Sequence, residues 1–523
     1  MSKAAQSSET QQAEVQNGGT GLFMLRLLAV LFTAVCQPVL SAPFNWWPLH
    51  WFSWVPFLWA INAQGGRKRV LLGMIAGVTS NYLIFYWIVN LLPNFSKIPM
   101  YVSIFLNLLI CLGLSVLWML LAHYIPKLQK HFPKNWVYLA PALLVTIEFF
   151  LPQMFPYMQG VSHFQVLPVV QLASLTGIYG VSFMVFWSNC VLYRGWVEKK
   201  NGRPWPVQQT VVLLLAVVLM LVYGYGRIFK YRQLEAKAKT LKIAMIQSNL
   251  QPKDHRNIRQ IHKLYLKMSQ EAVKQGADWI VWSEGEFKIP YSSFSARVVL
   301  GRMVRDIKKP LLIGGIDYRR TSGKFRVYNS AYLVKPGPTF SEAYDKIILV
   351  PFGEYMPFDK ELDFIYKHVG WRSRYSSGGK RHVFTLDGVP FSYLICYEAI
   401  YPGFVRQTMK SGARLLVNVT YDAWFGKTTA PYQHLMLAAT RSAELGIPLI
   451  RMATSGVSTT VNALGKMEKL SPIFKREIVM RPLKLVYMPS IYSQIGDLFA
   501  WLCLIFVLFA AFELRLRPHP TTA

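Results

Sequence analysis

A chain of 523 residues that is 53% hydrophobic, only 16% charged and has a mean hydropathy of +0.26 is excluded from the ordinary soluble globular class and reads as a membrane protein of two or more domains. Its formal charge of +31, from 57 Lys and Arg against 26 Asp and Glu, would suggest nucleic acid in a soluble protein. In a membrane protein the partner it implies is an anionic phospholipid surface, and no nucleic-acid partner is expected. Of five cysteines, Cys36, Cys111, Cys190 and Cys503 fall in hydrophobic runs, which excludes a disulfide framework and leaves Cys396 alone in a polar region.

Residues 1–20 are polar and read as a disordered tail. Hydrophobic segments follow at 22–41, 47–63, 70–92, 99–125, 136–155, 172–193 and 207–226, with one more at 492–512. Each is near the length that spans a hydrocarbon core, the second being short and proline-interrupted. The first could alternatively be a signal peptide ending near Ala42. Basic residues alternate between loops: Arg67, Lys68 and Arg69, then Lys127, Lys130 and Lys134, then Arg194, Lys199, Lys200 and Arg203, whereas the intervening loops hold Lys97 alone. The positive-inside rule therefore places the N-terminus in the cytoplasm and, after seven crossings, the region 227–490 on the far side. The expected organisation is a tail (1–20), a transmembrane bundle of seven helices (21–226), an extracytoplasmic α/β domain (227–490) and a C-terminal transmembrane helix with a cytoplasmic tail (491–523).

Within 227–490 the pattern alternates. Strands are predicted at Leu241–Gln247, Trp279–Trp282, Pro310–Gly315, 328–335, 391–396 and Arg414–Val419, with helices at 256–275 and 294–308. Apolar strands alternating with helices predict a layered α/β domain, and no internal repeat is evident.

Three stretches put an ionisable residue at or beside a strand end: Trp282-Ser283-Glu284, the run Tyr344 to Pro357 holding Lys346 and Glu354, and Cys396-Tyr397-Glu398. A thiol acts as a nucleophile only as thiolate, so it wants a base and a cation nearby. Glu, Cys and Lys can supply base, nucleophile and oxyanion stabiliser, with a backbone N–H, that of Tyr397, as the second oxyanion donor. Taken singly each has a duller reading: a helix-start carboxylate for Glu284, a surface lysine for Lys346, an inert core thiol for Cys396. No His/Cys grouping has metal-ligand spacing, so neither metal nor cofactor is expected.

Together these stretches resemble the nitrilase (carbon–nitrogen hydrolase) superfamily. With a bundle before the domain and one helix after it, the chain resembles the apolipoprotein N-acyltransferase family of bacteria. The most specific match is Lys346-x-x-Leu349-Val350-Pro351-Phe352-Gly353-Glu354-Tyr355-x-Pro357, joined by Cys396-Tyr397-Glu398, Asp422-Ala423-Trp424-Phe425-Gly426, Arg441-x-x-Glu444-x-Gly446-x-Pro448-x-x-Arg451 and Ser455-Gly456-x-Ser458. Pro156, Gly160, Gln171, Gly177 and Gly180 fit more loosely.

The resemblance implies an α-β-β-α sandwich with Glu284 as base, Lys346 as oxyanion stabiliser and Cys396 as nucleophile. Glu354 is then a second carboxylate near the lysine, and Tyr397 and Glu398 support the pocket. The implied reaction takes an acyl chain from a phospholipid as a Cys396 thioester and passes it to the amine of a diacylglyceryl-cysteine lipoprotein. The implied location is the bacterial inner membrane with the domain in the periplasm, and Phe364–Arg374 would be a membrane-facing loop. A membrane-tethered amidase, or an acyltransferase with another amine acceptor, would use the same residues; a transporter would need intramembrane charges, and Glu148 is almost alone. The chain departs from the family pattern at Ser283, where proline is usual, with Glu286 two residues beyond the base, at Tyr421 and Ser455, and in lacking a tryptophan near Arg256.

Overall fold

The structure, a computed structural model, describes residues 2–62, 65–96, 99–250, 257–321, 323–358, 360–361, 364 and 375–516. Helix Ser2–Leu40 begins inside the polar stretch expected to be an unstructured tail. Its Ala, Gln and Glu residues are good helix formers, so the backbone continues the apolar helix that follows. Among the described residues four helices are long and apolar enough to cross a membrane: Gly21–Leu40, Met100–His131, Val207–Lys237 and Leu498–Arg515. The count is six if two bent pairs are each one span. One pair, Gly66–Ile84 with Ile88–Asn94, bends by 53°. The other, Leu167–Thr176 with Ile178–Lys200, bends by 118° at Gly177, whose φ of 67° suits glycine and where a Cβ would sit 2.8 Å from the Tyr492 ring.

Two of the eight expected segments are too short to cross alone. The second is a 3-10 turn, Trp47–Trp51, followed by the eight-residue helix Val55–Asn62; Pro48 and Pro56 limit each to a short piece. The fifth, Trp136–Phe150, has 15 residues, about 22 Å. Both are packed inside the bundle, where Trp54 stacks on Trp118 with ring centroids 4.1 Å apart.

Residues 240–484 form two facing sheets. In chain order the strands are β1 (Thr240–Gln247), β2 (Trp279–Trp282), β3 (Leu311–Thr321), β4 (Lys324–Lys335), β5 (Thr339–Phe340), β6 (Tyr344–Asp345), β7 (Phe384–Leu386), β8 (Val389–Ile395), β9 (Leu415–Thr420), β10 (Leu449–Ala453), β11 (Thr459–Val461) and β12 (Glu477–Lys484). One sheet runs β12-β1-β2-β3-β4-β5 with β6 on β4, the other β11-β10-β9-β8-β7. The period-two alternation of strand side chains builds three layers of core. Ile243, Met245 and Val281 meet Tyr393, Ile395 and Val417 between the sheets. Ala244, Ile246 and Trp282 face helices Ile258–Lys274 and Phe294–Ile307. Leu394, Leu416 and Leu449 face helices Pro402–Lys410 and Ala430–Leu445. The result is the α-β-β-α sandwich, its central strands parallel and buried on both faces.

The domain is seated on the bundle by buried polar contacts. The Glu444 carboxylate accepts from Ile178 N–H at 3.0 Å, and Gln171 Nε2 donates to the Leu464 carbonyl at 2.9 Å. Trp87 Nε1 donates to Gln433 Oε1 at 2.9 Å, and Tyr397 and Tyr401 hydroxyls both donate to the Met154 carbonyl.

β3 lies against the end of β2 because Gly314 has no side chain: a Cβ there would be 2.5 Å from the Ser283 carbonyl oxygen and 2.7 Å from Glu284 Cα. Both are backbone atoms that cannot turn aside. Gly314→Ala should therefore destabilise the domain by about 1–3 kcal/mol, read as a lowered unfolding midpoint of the purified protein in detergent.

Candidate active site

Three loop junctions at one end of the sandwich bring Glu284, Lys346, Glu354 and Cys396 together. Glu284 leaves the end of β2, Lys346 follows β6, and Cys396 follows β8 and opens a 3-10 turn, Cys396–Ile400. Lys346 is 1% exposed, and its Nζ lies 2.9 Å from the Glu354 carboxylate and 3.4 Å from Glu284 Oε1. Burial opposes its charge, but Glu354 and Glu284 hold the ammonium well above its ordinary pKa. Asn329 Nδ2 ties the two carboxylates together, donating to Glu284 Oε1 at 2.6 Å and to Glu354 Oε1 at 3.1 Å. Tyr421 N–H donates to Glu284 Oε2 and Val350 N–H to Glu354 Oε2, each at 2.8 Å.

Cys396 has a φ of 52°, rare for a residue with a side chain and costing on the order of 1–3 kcal/mol. Its surroundings hold that conformation. The Cys396 carbonyl oxygen lies 3.3 Å from both Asn418 Nδ2 and His434 Nε2. Behind them Asp422 is gripped by Arg451 at 2.9 Å and by His434 at 3.2 Å. Burial opposes ionisation of Asp422, yet Arg451 and His434 hold its pKa down to about 2. Glu398 clamps the turn: its carboxylate accepts from Ile347 N–H (2.6 Å), Ile348 N–H (3.2 Å), Ile395 N–H (2.7 Å) and the Tyr344 hydroxyl (2.8 Å). One carboxylate thus joins the lysine segment to the cysteine turn. Burial pushes the pKa of the Cys396 thiol up, Glu284 adds to this and Lys346 opposes it.

The thiol opens into a cavity of about 310 Å³. Trp87, Leu91, Leu106 and Leu109 line it from the bundle, and Phe352 and Trp424 from the domain. Its walls are almost entirely apolar, and Cys396 and His434 are among the residues that line it.

The residues singled out from the sequence fall in one place, with Tyr397 packed edge-on to Phe155 of the bundle at a centroid distance of 5.6 Å. Glu286 does not join them. It is fully buried on the other side of the β2 exit, where Thr454 Oγ1 donates to it at 3.2 Å, and burial pushes its pKa up to about 7. Ser283 also points there, accepting from Thr454 Oγ1 at 2.7 Å. The Phe364–Arg374 stretch, Phe364 apart, and Lys253–Arg256 lie outside the described residues. Sequence reasoning missed Asn329, Asn418 and His434. Asn418 had a readable signal, being the lone polar residue in the run Leu415–Val419; Asn329 and His434 had none.

Comparison with known proteins agrees with this architecture. Residues 242–490 match the carbon–nitrogen hydrolase family, and residues 29–191 match the N-terminal domain of apolipoprotein N-acyltransferase. The chain is similar to Apolipoprotein N-acyltransferase of Geobacter metallireducens, at 30% identity over 471 residues that cover 87% of this chain and 89% of the relative. It is also similar to Apolipoprotein N-acyltransferase of Rickettsia typhi, at 30% identity covering 66% of this chain and 69% of the relative. Among solved structures an amidase from Nesterenkonia sp. superposes with a TM-score of 0.37 at 20% identity, covering 51% of this chain and 96% of that one. The family matches define an acyl-transferring enzyme with a carbon–nitrogen hydrolase domain set on a membrane bundle. The chain belongs to the apolipoprotein N-acyltransferase family.

The geometry separates the two neighbouring carboxylates. If Glu284 is the base that the resemblance implies, Glu284→Gln should abolish acylation of Cys396, because an amide cannot take a proton. Glu286→Gln should leave most of it. The measurement is the initial rate of acyl-enzyme formation by intact mass, with gel filtration in detergent as the folding control; retention in Glu284→Gln with loss in Glu286→Gln would reverse the assignment.

Proposed function

We propose that this protein N-acylates lipoproteins through a thioester on Cys396. The observation that carries the reading is the apolar cavity lined both by the bundle and by Cys396, a thiol on which the charges of Glu284 and Lys346 act. An acyl chain fits an apolar tunnel, and an ester carbonyl at its head would meet the thiol and the ammonium together. A small polar amide, as an amidase would take, has no use for such walls.

In the first half, Glu284 takes the thiol proton as sulfur attacks the ester carbonyl of a phospholipid. The Lys346 ammonium and the Tyr397 N–H stabilise the oxyanion. Collapse breaks the ester C–O bond, and Glu284 returns the proton to the departing lysophospholipid hydroxyl. In the second half the α-amine of a diacylglyceryl-cysteine attacks the thioester carbonyl, Glu284 removes the amine proton, and sulfur leaves and is reprotonated. Glu354 keeps Lys346 charged and placed, while Glu398 and Tyr397 hold the turn and its seat on the bundle. No metal or cofactor enters the sequence of steps. We place the protein in the bacterial inner membrane, N-terminus in the cytoplasm and the α/β domain in the periplasm, on the alternation of basic loops.

Wild-type protein incubated with phospholipid should gain one acyl mass that hydroxylamine removes, and a diacylated lipopeptide should discharge it. Cys396→Ala should gain none; a hydroxylamine-labile acyl mass in that variant moves the nucleophile elsewhere. For topology, a reporter fused after Tyr225 should be active outside the cytoplasm and one fused at Lys200 inside it, and the opposite pattern at either position overturns the orientation.

A further inference from the structure

The end of the bundle remote from Cys396 carries a second, larger cavity of about 1070 Å³. It is built where six helices end or begin. Helix Gly66–Ile84 begins at this cavity and reaches the Cys396 side about 28 Å away at its other end. Arg69, Lys127, Lys130, Arg194 and Arg515 line the cavity, and among the described lining residues the acidic one is Glu198. That carboxylate is already engaged, 4.0 Å from Arg194 and 3.6 Å from Arg203. The amide nitrogen and oxygen of Gln129, which also lines the cavity, are buried without a hydrogen-bond partner. On the lipid side Ala511 and Leu514 carry the wall into the apolar helix Leu498–Leu516.

Basic residues that only set membrane orientation need no common focus, since each acts from its own loop. Here they converge from separate helices on one concavity with an unused amide in its wall and an apolar flank. Like charges brought together in this way repel one another unless an anion sits among them. We propose that this cavity binds the phosphate headgroup of an anionic membrane lipid, whose acyl chains lie along the last helix, at a site separate from that of the acyl donor. The lipid would bridge helix Leu498–Leu516 to the ends of Met100–His131 and Ile178–Lys200, where basic side chains outnumber the one acidic side chain among the described lining residues.

The test uses the delipidated full-length protein in non-ionic detergent and native mass spectrometry. Ether-linked phosphatidylglycerol, which cannot donate an acyl chain, is titrated beside ether-linked phosphatidylcholine and glycerol 3-phosphate. Wild type should retain the anionic lipid at least about tenfold more tightly than the zwitterionic one, and added salt should weaken that preference. The exposed-residue variant Lys127→Gln/Lys130→Gln/Arg515→Gln should lose the preference while still forming the Cys396 acyl-enzyme at the wild-type rate, and Lys127→Arg/Lys130→Arg/Arg515→Lys should keep it. Equal retention of the two lipids by wild type, an unchanged preference in the glutamine variant, or its loss in the charge-keeping variant would overturn the proposal. Displacement of the anionic lipid by an equal concentration of glycerol 3-phosphate would overturn it too, marking a site for free phosphate.

Discussion

Everything near the site depends on one buried ammonium. A lysine charge removed from water costs several kcal/mol unless it is paired and hydrogen-bonded. Lys346 meets that condition only because two carboxylates from different parts of the chain converge on it, and those carboxylates are themselves satisfied by Asn329, Tyr421 N–H and Val350 N–H. Removing one partner strands the others. The loop Ile347–Tyr355 is therefore shaped by electrostatics as much as by backbone pairing, with Gly353 and Glu354 N–H groups both returning to the Val350 carbonyl.

The same need for satisfied polar groups explains the second layer. Glu398 is fully buried and burial pushes its pKa up to about 7, against the pull of donors from two separate segments. Those donors fix the spacing between the lysine loop and the cysteine turn. Asp422, Arg451, His434 and Asn418 perform the equivalent task under the Cys396 carbonyl, where a left-handed cysteine would otherwise relax. A rigid polar floor and an apolar cavity above it give the thiol two unlike neighbourhoods within a few ångströms. An ester carrying a long alkyl chain has the matching asymmetry.

The bundle does more than anchor the domain. Trp87, packed edge-on to Phe155 and Phe425 and hydrogen-bonded to Gln433, forms part of the cavity wall, so bundle and domain are both needed to complete it. The short segments Val55–Asn62 and Trp136–Phe150 pack inside, and the sharp turn at Gly177 puts the N–H of Ile178 where Glu444 can accept it. Two folding units that meet through buried hydrogen bonds lose those bonds' compensation if they part.

Local pattern was enough for much of this. Composition and loop charge marked the bundle, and strands β1, β2, β8 and β9 were legible as short apolar runs, whereas β3 was read only to Gly315 and β4 only from Tyr328, because their polar outer halves 316–321 and 324–327 break the apolar pattern. The run from Lys346 to Pro357 and the Cys396-Tyr397-Glu398 triplet were legible because their chemistry is unusual at strand ends. Strands β10 and β12 and helix Ala430–Leu445 were not, since Leu449–Ala453 holds an arginine, β12 mixes charged and apolar residues, and the helix is buried on nearly all sides and shows little amphipathic contrast. The local pattern favoured Glu284, which directly follows the β2 run, over Glu286 beyond Gly285, but the partners of Glu284 come only from the placement of β4, which brings Asn329, and of β9, which leads into Tyr421. The arginine of β10 likewise becomes intelligible only when Asp422 and Asn418 arrive beside it. The sequence by itself determined which residues could do chemistry and which segments could enter a membrane, because those follow from side-chain type and short-range period. Which carboxylate meets the lysine, and where the apolar cavity opens, was decided by long-range packing, because those contacts join residues tens to hundreds of positions apart.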